Sequence, residues 1–213
     1  MKKNNFFSSK NIAILAILLA LVIVLQAFGG SFSIGMVTLN FTLIPIVLGA
    51  IVLGRYAGAF LGFASGVVVL IQVILASAGF YYIIWTNSPF VTTMICLLKT
   101  TVAGYVAGLL FEVIKKKNRY VGIFIASGLV PVINTGLFIL GCLCMSNSIV
   151  LTQDWLVNTV GQTQFFGLDP FVFILVGLVT FNFFAEFAIN LLVAPGLHTV
   201  YNVVEKQFRK GRR

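Results

Sequence analysis

The chain alternates between long apolar runs and short polar connectors. The runs are continuous, whereas the strands of a membrane barrel would alternate apolar and polar positions. Because a transmembrane helix needs about 20 mostly apolar residues, we predict an all-α, polytopic membrane protein with one membrane domain over residues 1–213 and six transmembrane helices. The predicted spans are residues 11–28, 38–54, 57–78, 90–114, 120–146 and 171–197.

Composition supports a lipid-facing exterior. Hydrophobic residues make up 60% of the chain and charged residues only 9%, whereas soluble domains carry about 25% charged residues. Too little charge remains to cover a water-facing surface. No small-residue cleavage site follows the first apolar run, which favours a retained helix over a signal peptide.

The basic residues follow membrane topology. Of 14 Lys and Arg residues, 13 lie in one alternate set of connectors or in the termini, while the connectors at about 29–37, 79–89 and 147–170 hold none. Basic connectors stay in the cytoplasm, so we predict that both termini are cytoplasmic. This location also explains the net charge of +9 without nucleic acid as a partner.

Small residues form stripes on three of the predicted helices. Gly54, Gly58, Gly62 and Gly66 recur every four residues, and Gly104 and Gly108 repeat the spacing. Such stripes let helix backbones approach closely in lipid, so we predict tight packing of these helices. The first segment carries a smaller stripe of Ala13, Ala16 and Ala20.

Lys99 is the one basic residue that topology does not explain. It lies deep in the fourth segment, where a lipid-facing lysine would cost about 2.5–3.5 kcal/mol. It must therefore face the bundle interior, with Glu186 of the sixth segment as a natural partner. Two interpretations stay open, a structural ion pair and a ligand cavity that opens to the outside. In the second interpretation, the residues that line the ligand cavity are Asn40, Gln72, Trp85, Asn87, Lys99, Asn134, Asn182 and Glu186.

The sequence favours no enzymatic chemistry and no cofactor. It contains no phosphate-binding GxxxxGK[ST] motif for ATP and no catalytic signature. Its single histidine, His198, has no cluster of metal ligands around it. The three cysteines, in or at the ends of apolar runs, are interpreted as packing residues.

Several stretches resemble a known family. They are the Ala16–Ala20 spacing, the run from Pro45-Ile-Val-Leu-Gly49 to Gly54-Arg-Tyr-Ala-Gly58, and the stretches 87–99 and 182–195. Together with size and topology, they make the whole chain similar to the substrate-binding S component of an energy-coupling factor (ECF) transporter. The last two stretches resemble the branch linked to pantothenate uptake. Arg55 stands where members often have proline.

The resemblance implies a function. S components capture a vitamin at the outer face of the bacterial plasma membrane and dock on a transmembrane coupling protein, which two ATPase subunits drive. By this resemblance Ala13, Ala16 and Ala20 form the docking surface, and pantothenate or another small water-soluble vitamin is the ligand. The alternative is a self-sufficient secondary transporter or channel that uses Glu186 and Lys99.

Overall fold

The described part of the chain is a bundle of helices with a short pair of antiparallel strands. The computed structural model describes residues 8–28, 33–34, 37–38, 40–76, 84–86, 88–145 and 179–210. In these ranges lie α1 (Ser9–Phe28), β1 (Ser33–Ile34), β2 (Val37–Thr38), α2 (Leu43–Val52), α3 (Arg55–Leu75), α4 (Pro89–Ile114), α5 (Arg119–Met145) and α6 (Thr180–Lys210). The two strands pair antiparallel.

Five of the helices are long and apolar enough to cross a membrane, and α2 is a shorter apolar helix. The prediction of an all-α, polytopic membrane protein is thereby confirmed, with the two-residue strands as a minor addition. The count of six spans, the cytoplasmic termini and the single-domain assignment stay predictions.

The second helix is shorter than the predicted span over 38–54. Thr38 belongs to β2, and α2 begins only at Leu43. The reason lies at Asn40, whose side-chain oxygen accepts a hydrogen bond from the backbone N–H of Thr42 at 3.2 Å. Asparagine side chains that bind nearby backbone in this way favour turns over helix. The remaining ten residues of α2 extend about 15 Å.

The sixth helix continues to Lys210, past the predicted end at 197. Proline at position 195 lies inside it. Beyond the apolar part, Glu205 forms a two-armed ion pair with Arg119 at the start of α5, with N–O distances of 2.6 and 3.3 Å. This pair holds the polar extension of α6 against the bundle. Residues 171–178 of the predicted span lie outside the described residues.

Glycines bring α3 and α4 into backbone contact. A Cβ added at Gly58 would lie 2.5 Å from the carbonyl oxygen of Gly104, and one at Gly66 would lie 2.5 Å from that of Cys96. Between these levels, Gly62 faces Thr100, whose hydroxyl donates to the Gly62 carbonyl at 2.6 Å. The predicted close packing is confirmed, and it fixes the orientation of α4 around its own axis.

Gly54 has a different role from the rest of its stripe. It precedes α3 with a φ of 102°, in the left-handed region that favours glycine. The turn from α2 into α3 therefore depends on it. Next to this turn, Arg55 and Glu112 form an ion pair at 3.8 Å, which accounts for both charges without a ligand.

The core lies around α2. Its buried residues Leu43, Ile46, Val47 and Ala50 meet α3, α4 and α5. By contrast, α1 buries only Leu18 and Val22 and leaves most of its length exposed. It is the helix most available to a partner or to lipid.

Candidate functional site

Lys99 lies inside the bundle, as predicted. It is ten residues from the start of α4, about 15 Å along the helix, and only 9% exposed. Its Nζ lies 5.2 Å from the centroid of the Phe138 ring on α5, a contact that attracts a cation. The neighbouring Thr100–Gly62 contact holds this part of α4 against α3. The lysine side chain is thereby directed toward α5 and α6 rather than toward lipid.

Glu186 of α6 is a buried acidic residue whose carboxylate interacts electrostatically with Lys99. The residue is only 5% exposed. The backbone N–H of Asn40 donates toward its carboxylate. The two charges do not form a direct salt bridge, since the ion pairs within 4.0 Å among the described residues are Arg55–Glu112 and Arg119–Glu205. Lys99 and Glu186 therefore influence each other through their charges without direct contact between the two groups.

Four buried oxygens on α5 and α6 lack a hydrogen-bond partner among the described residues. They are Asn134 Oδ1 and Ser127 Oγ on α5, and Asn182 Oδ1 and Asn190 Oδ1 on α6. An unsatisfied buried polar group costs about 1–3 kcal/mol. The three asparagine oxygens are acceptors and suit a partner that donates hydrogen bonds, whereas the Ser127 hydroxyl can either donate or accept.

These oxygens follow the seam between α5 and α6. Gly128 of α5 faces Phe187 and Leu191 of α6, so the adjacent Ser127 and Asn190 lie at a similar height. The Asn190 amide nitrogen donates to the Glu186 carbonyl at 2.9 Å, which leaves its oxygen as the free end. Since α5 and α6 run in opposite directions, Asn134 and Asn182 lie nearer to Lys99. The unpaired oxygens of Ser127 and Asn190 thus lie along the α5–α6 interface beyond Glu186, in the direction of the C-terminal end of α6.

Other predicted site residues have partners of their own. Asn40 contacts Glu186 through its backbone, and its side chain contacts the Thr42 hydroxyl. Gln72, near the C-terminal end of α3, donates to the backbone carbonyl of Gln26 at 3.0 Å. Trp85 packs on a small apolar cluster that includes Cys96 of α4. Asn87 and the connector 147–170 lie outside the described residues.

Gln26 near the end of α1 is a residue that the sequence analysis missed. Its side-chain oxygen lies 3.0 Å from the Thr42 hydroxyl and 3.1 Å from the Ser65 hydroxyl. Its amide nitrogen donates to Gln72 at 3.4 Å. One signal was available, because Gln26 is the only polar residue in the run from Ile12 to Phe28.

The alanine stripe of α1 faces outward. Ala13, Ala16 and Ala20 are all exposed, and at about 100° per residue they fall within roughly 60° of one another. Leu18 and Val22, the buried residues, lie on the opposite side of the helix. Among the described residues, these three alanines are therefore not part of the packed interior of the bundle.

A metal is not favoured by the residues present. Among the described residues, no group of three or more His, Cys, Asp or Glu side chains is arranged to hold a metal ion. His198 instead packs edge-on against Tyr120 with ring centroids 5.2 Å apart and contacts Asn202. It is part of the interface between α5 and α6.

A bundle of apolar helices with a buried lysine, a buried carboxylate and unpaired amide oxygens in its interior defines the class as polytopic membrane proteins with a polar interior. A family model described as "ECF transporter, substrate-specific component" matches residues 10–198. The chain therefore belongs to the family of substrate-specific components of ECF transporters. No curated protein matches the chain.

Family membership settles the general function. The chain is a transport subunit and not an enzyme, and it binds a small-molecule substrate for an ECF importer. It works together with the membrane component and the ATPases of that importer. Of the functions considered from the sequence, the S component agrees with this family and the self-sufficient transporter does not.

Proposed function

We propose that the chain is the vitamin-capture subunit of an importer in the bacterial plasma membrane, and that its ligand is pantothenate or a similar small acid. The observation that carries the proposal is Lys99, a buried cation without a direct salt bridge among the described residues. A ligand carboxylate would supply the missing anion. Hydrogen bonds to charged groups contribute about 1.5–3 kcal/mol.

The acceptors along the α5–α6 seam support the choice of ligand. Asn134, Asn182 and Asn190 each offer an oxygen without a described partner. Pantothenate carries hydroxyl and amide N–H donors in addition to its carboxylate. Niacin has the carboxylate but neither hydroxyl nor amide donors, and thiamine is a cation that Lys99 would repel. The pattern of one cation with several acceptors therefore favours a hydroxylated acid.

The remaining candidate ligand residues are proposed from their surroundings. Glu186 would face the donor groups of the ligand, and Asn40 would orient Glu186 through its backbone N–H. Gln72 and Trp85 lie on the outer part of the bundle and would border the entrance. Asn87 stays a prediction from the sequence.

The first experiment identifies the ligand directly. The protein is purified in mild detergent and denatured, and the released small molecules are identified by mass spectrometry. We expect an acid with hydroxyl or amide donors, with pantothenate first. Release of only a cationic or uncharged vitamin would contradict the assigned role of Lys99.

The second experiment tests Lys99 by substitution. Lys99→Ala should weaken pantothenate binding about 10- to 100-fold, because it removes one charge-assisted contact. Lys99→Arg keeps the charge and should retain more affinity. Lys116→Ala is the matched control, since Lys116 is an exposed lysine at the other end of α4. Equal affinities for Lys99→Ala and Lys116→Ala would remove Lys99 from the site.

We further propose that Ala13, Ala16 and Ala20 dock on the membrane component of the importer. The support is their exposure on one face of α1, the helix with the fewest buried residues among the long ones. Close approach of small residues is the usual basis of helix association in lipid. Reconstitution in liposomes tests whether uptake requires the membrane component and the ATPases of the importer. Uptake by this chain alone, without ATPases, would favour the self-sufficient transporter instead.

A further inference from the structure

The outer end of α1 is tied to the ligand site by side chains. The Thr42 hydroxyl lies 3.0 Å from Gln26 Oε1 and also contacts Asn40 Oδ1. Ser65 of α3 donates to the same Gln26 oxygen at 3.1 Å. One glutamine therefore joins α1, α3 and the residues that lead into α2.

These contacts end at the buried carboxylate. Asn40 Oδ1 accepts from the Thr42 backbone N–H at 3.2 Å, which fixes the turn before α2. In this turn the backbone N–H of Asn40 is directed toward Glu186. A continuous series of polar contacts thus connects Gln26 to Glu186 through Thr42 and Asn40, although these residues belong to opposite ends of the chain.

Burial makes the contacts difficult to replace with water. Thr42 and Ser65 are both 0% exposed. If Gln26 lost its amide, the Ser65 hydroxyl would lose the acceptor described here and Thr42 would keep only Asn40. The buried Ser65 hydroxyl would then be unsatisfied, which is unfavourable, and the turn before α2 would lose the Thr42–Gln26 bond that fixes it to α1. Its Asn40 N–H would then leave the position opposite Glu186.

We propose that Gln26 is a positioning residue of the ligand site, which acts through Thr42 and Asn40 on Glu186. The inference rests on the proposed function in one respect, that Glu186 borders the ligand. Gln26 lies less than two turns from Ala20 on the same helix, so the residue that orders the site is part of the helix proposed to dock. No role in direct ligand contact is assigned to it.

The first test measures the turn itself and needs no ligand. Hydrogen–deuterium exchange of the whole detergent-purified protein is compared between wild type and Gln26→Leu. Amides at 40–42 should exchange faster in the variant, while those of α4 stay unchanged. Gln26→Glu keeps an acceptor oxygen for Thr42 and Ser65 and should restore slow exchange. Unchanged exchange at 40–42 in Gln26→Leu would overturn the proposal.

The second test measures the effect on binding with pantothenate as the probe. Gln26→Leu should raise the dissociation constant about 3- to 10-fold, the effect of one lost hydrogen bond. In a Glu186→Gln background the same change should have a smaller effect, because the positioned partner is already altered. Equal effects in both backgrounds would contradict the route through Glu186. Thr93→Val is the matched control, since among the described residues that hydroxyl bonds within its own helix, to the Pro89 carbonyl at 2.8 Å.

Two safeguards keep the outcomes distinct. If Gln26→Leu yields no folded protein, Thr42→Val cuts the same link from its other side and should give the same faster exchange. If wild type does not bind pantothenate, the proposed ligand is wrong, while the exchange experiment still decides the role of Gln26.

Discussion

Gly62→Ala tests the contact on which the position of Lys99 depends. The new Cβ would lie 2.5 Å from the carbonyl carbon of Thr100, and this neighbour is backbone, which cannot rotate away. The helices must separate by a fraction of an ångström or more. Overpacking of this kind costs about 1–3 kcal/mol.

The separation has a second cost. The Thr100 hydroxyl donates to the Gly62 carbonyl at 2.6 Å, and a hydrogen bond of this kind contributes about 0.5–1.5 kcal/mol. The two effects together predict a loss of roughly 2–4 kcal/mol in the free energy of unfolding. At about 2–4 °C per kcal/mol for a chain of this size, the midpoint should fall by roughly 4–16 °C.

The cysteines provide the assay. Cys96 and Cys142 are buried and Cys144 is exposed, so a thiol-reactive dye in a Cys144→Ser background reports unfolding during a thermal ramp. Gly196→Ala is the matched control, because a Cβ there meets nothing within 4 Å. We expect it to raise stability slightly through helix propensity. If Gly62→Ala were as stable as Gly196→Ala, the backbone contact between α3 and α4 would be wrong.

Two further predictions concern the exposed face of α1 and the ion pair between α5 and α6. Ala16→Trp and Ala20→Trp should each stop uptake by the assembled importer and leave ligand binding to the isolated subunit unchanged. Leu192→Trp, at a position on α6 that is 79% exposed, is the control and should affect neither uptake nor binding. Loss of ligand binding in the alanine variants would instead assign Ala16 and Ala20 to the fold. Arg119→Ala and Glu205→Ala are combined in a double-mutant cycle that is measured by thermal unfolding. The coupling free energy should be about 0.5–1 kcal/mol, because the pair is partly exposed. A coupling near zero would show that the pair does not hold α6 to α5.

The helices and their packing were predictable because lipid imposes simple rules. Continuous apolar runs identified the helices, and the four-residue glycine period identified the α3–α4 contact that the structure confirms. Lys99 was predictable for the same reason, because a lysine in an apolar run must face the bundle interior. The short α2 was not predictable from hydropathy, since a single side-chain bond from Asn40 decides where it begins.

The contacts of Gln26 could not be predicted from hydropathy or from the spacing of small residues. Its contacts join residues 16, 39 and 46 positions away along the chain, and no periodicity relates these positions. On one side of the candidate site, Lys99 is held by backbone packing between two helices, which leaves a repeated spacing in the sequence. On the other side, Glu186 is approached through individual hydrogen bonds, each of which depends on the final arrangement of three helices. The difference is physical, because close packing requires small residues at every turn, whereas one hydrogen bond requires only one suitable atom. Sequence reasoning therefore identifies the buried charged groups of this bundle better than it identifies the residues that hold them.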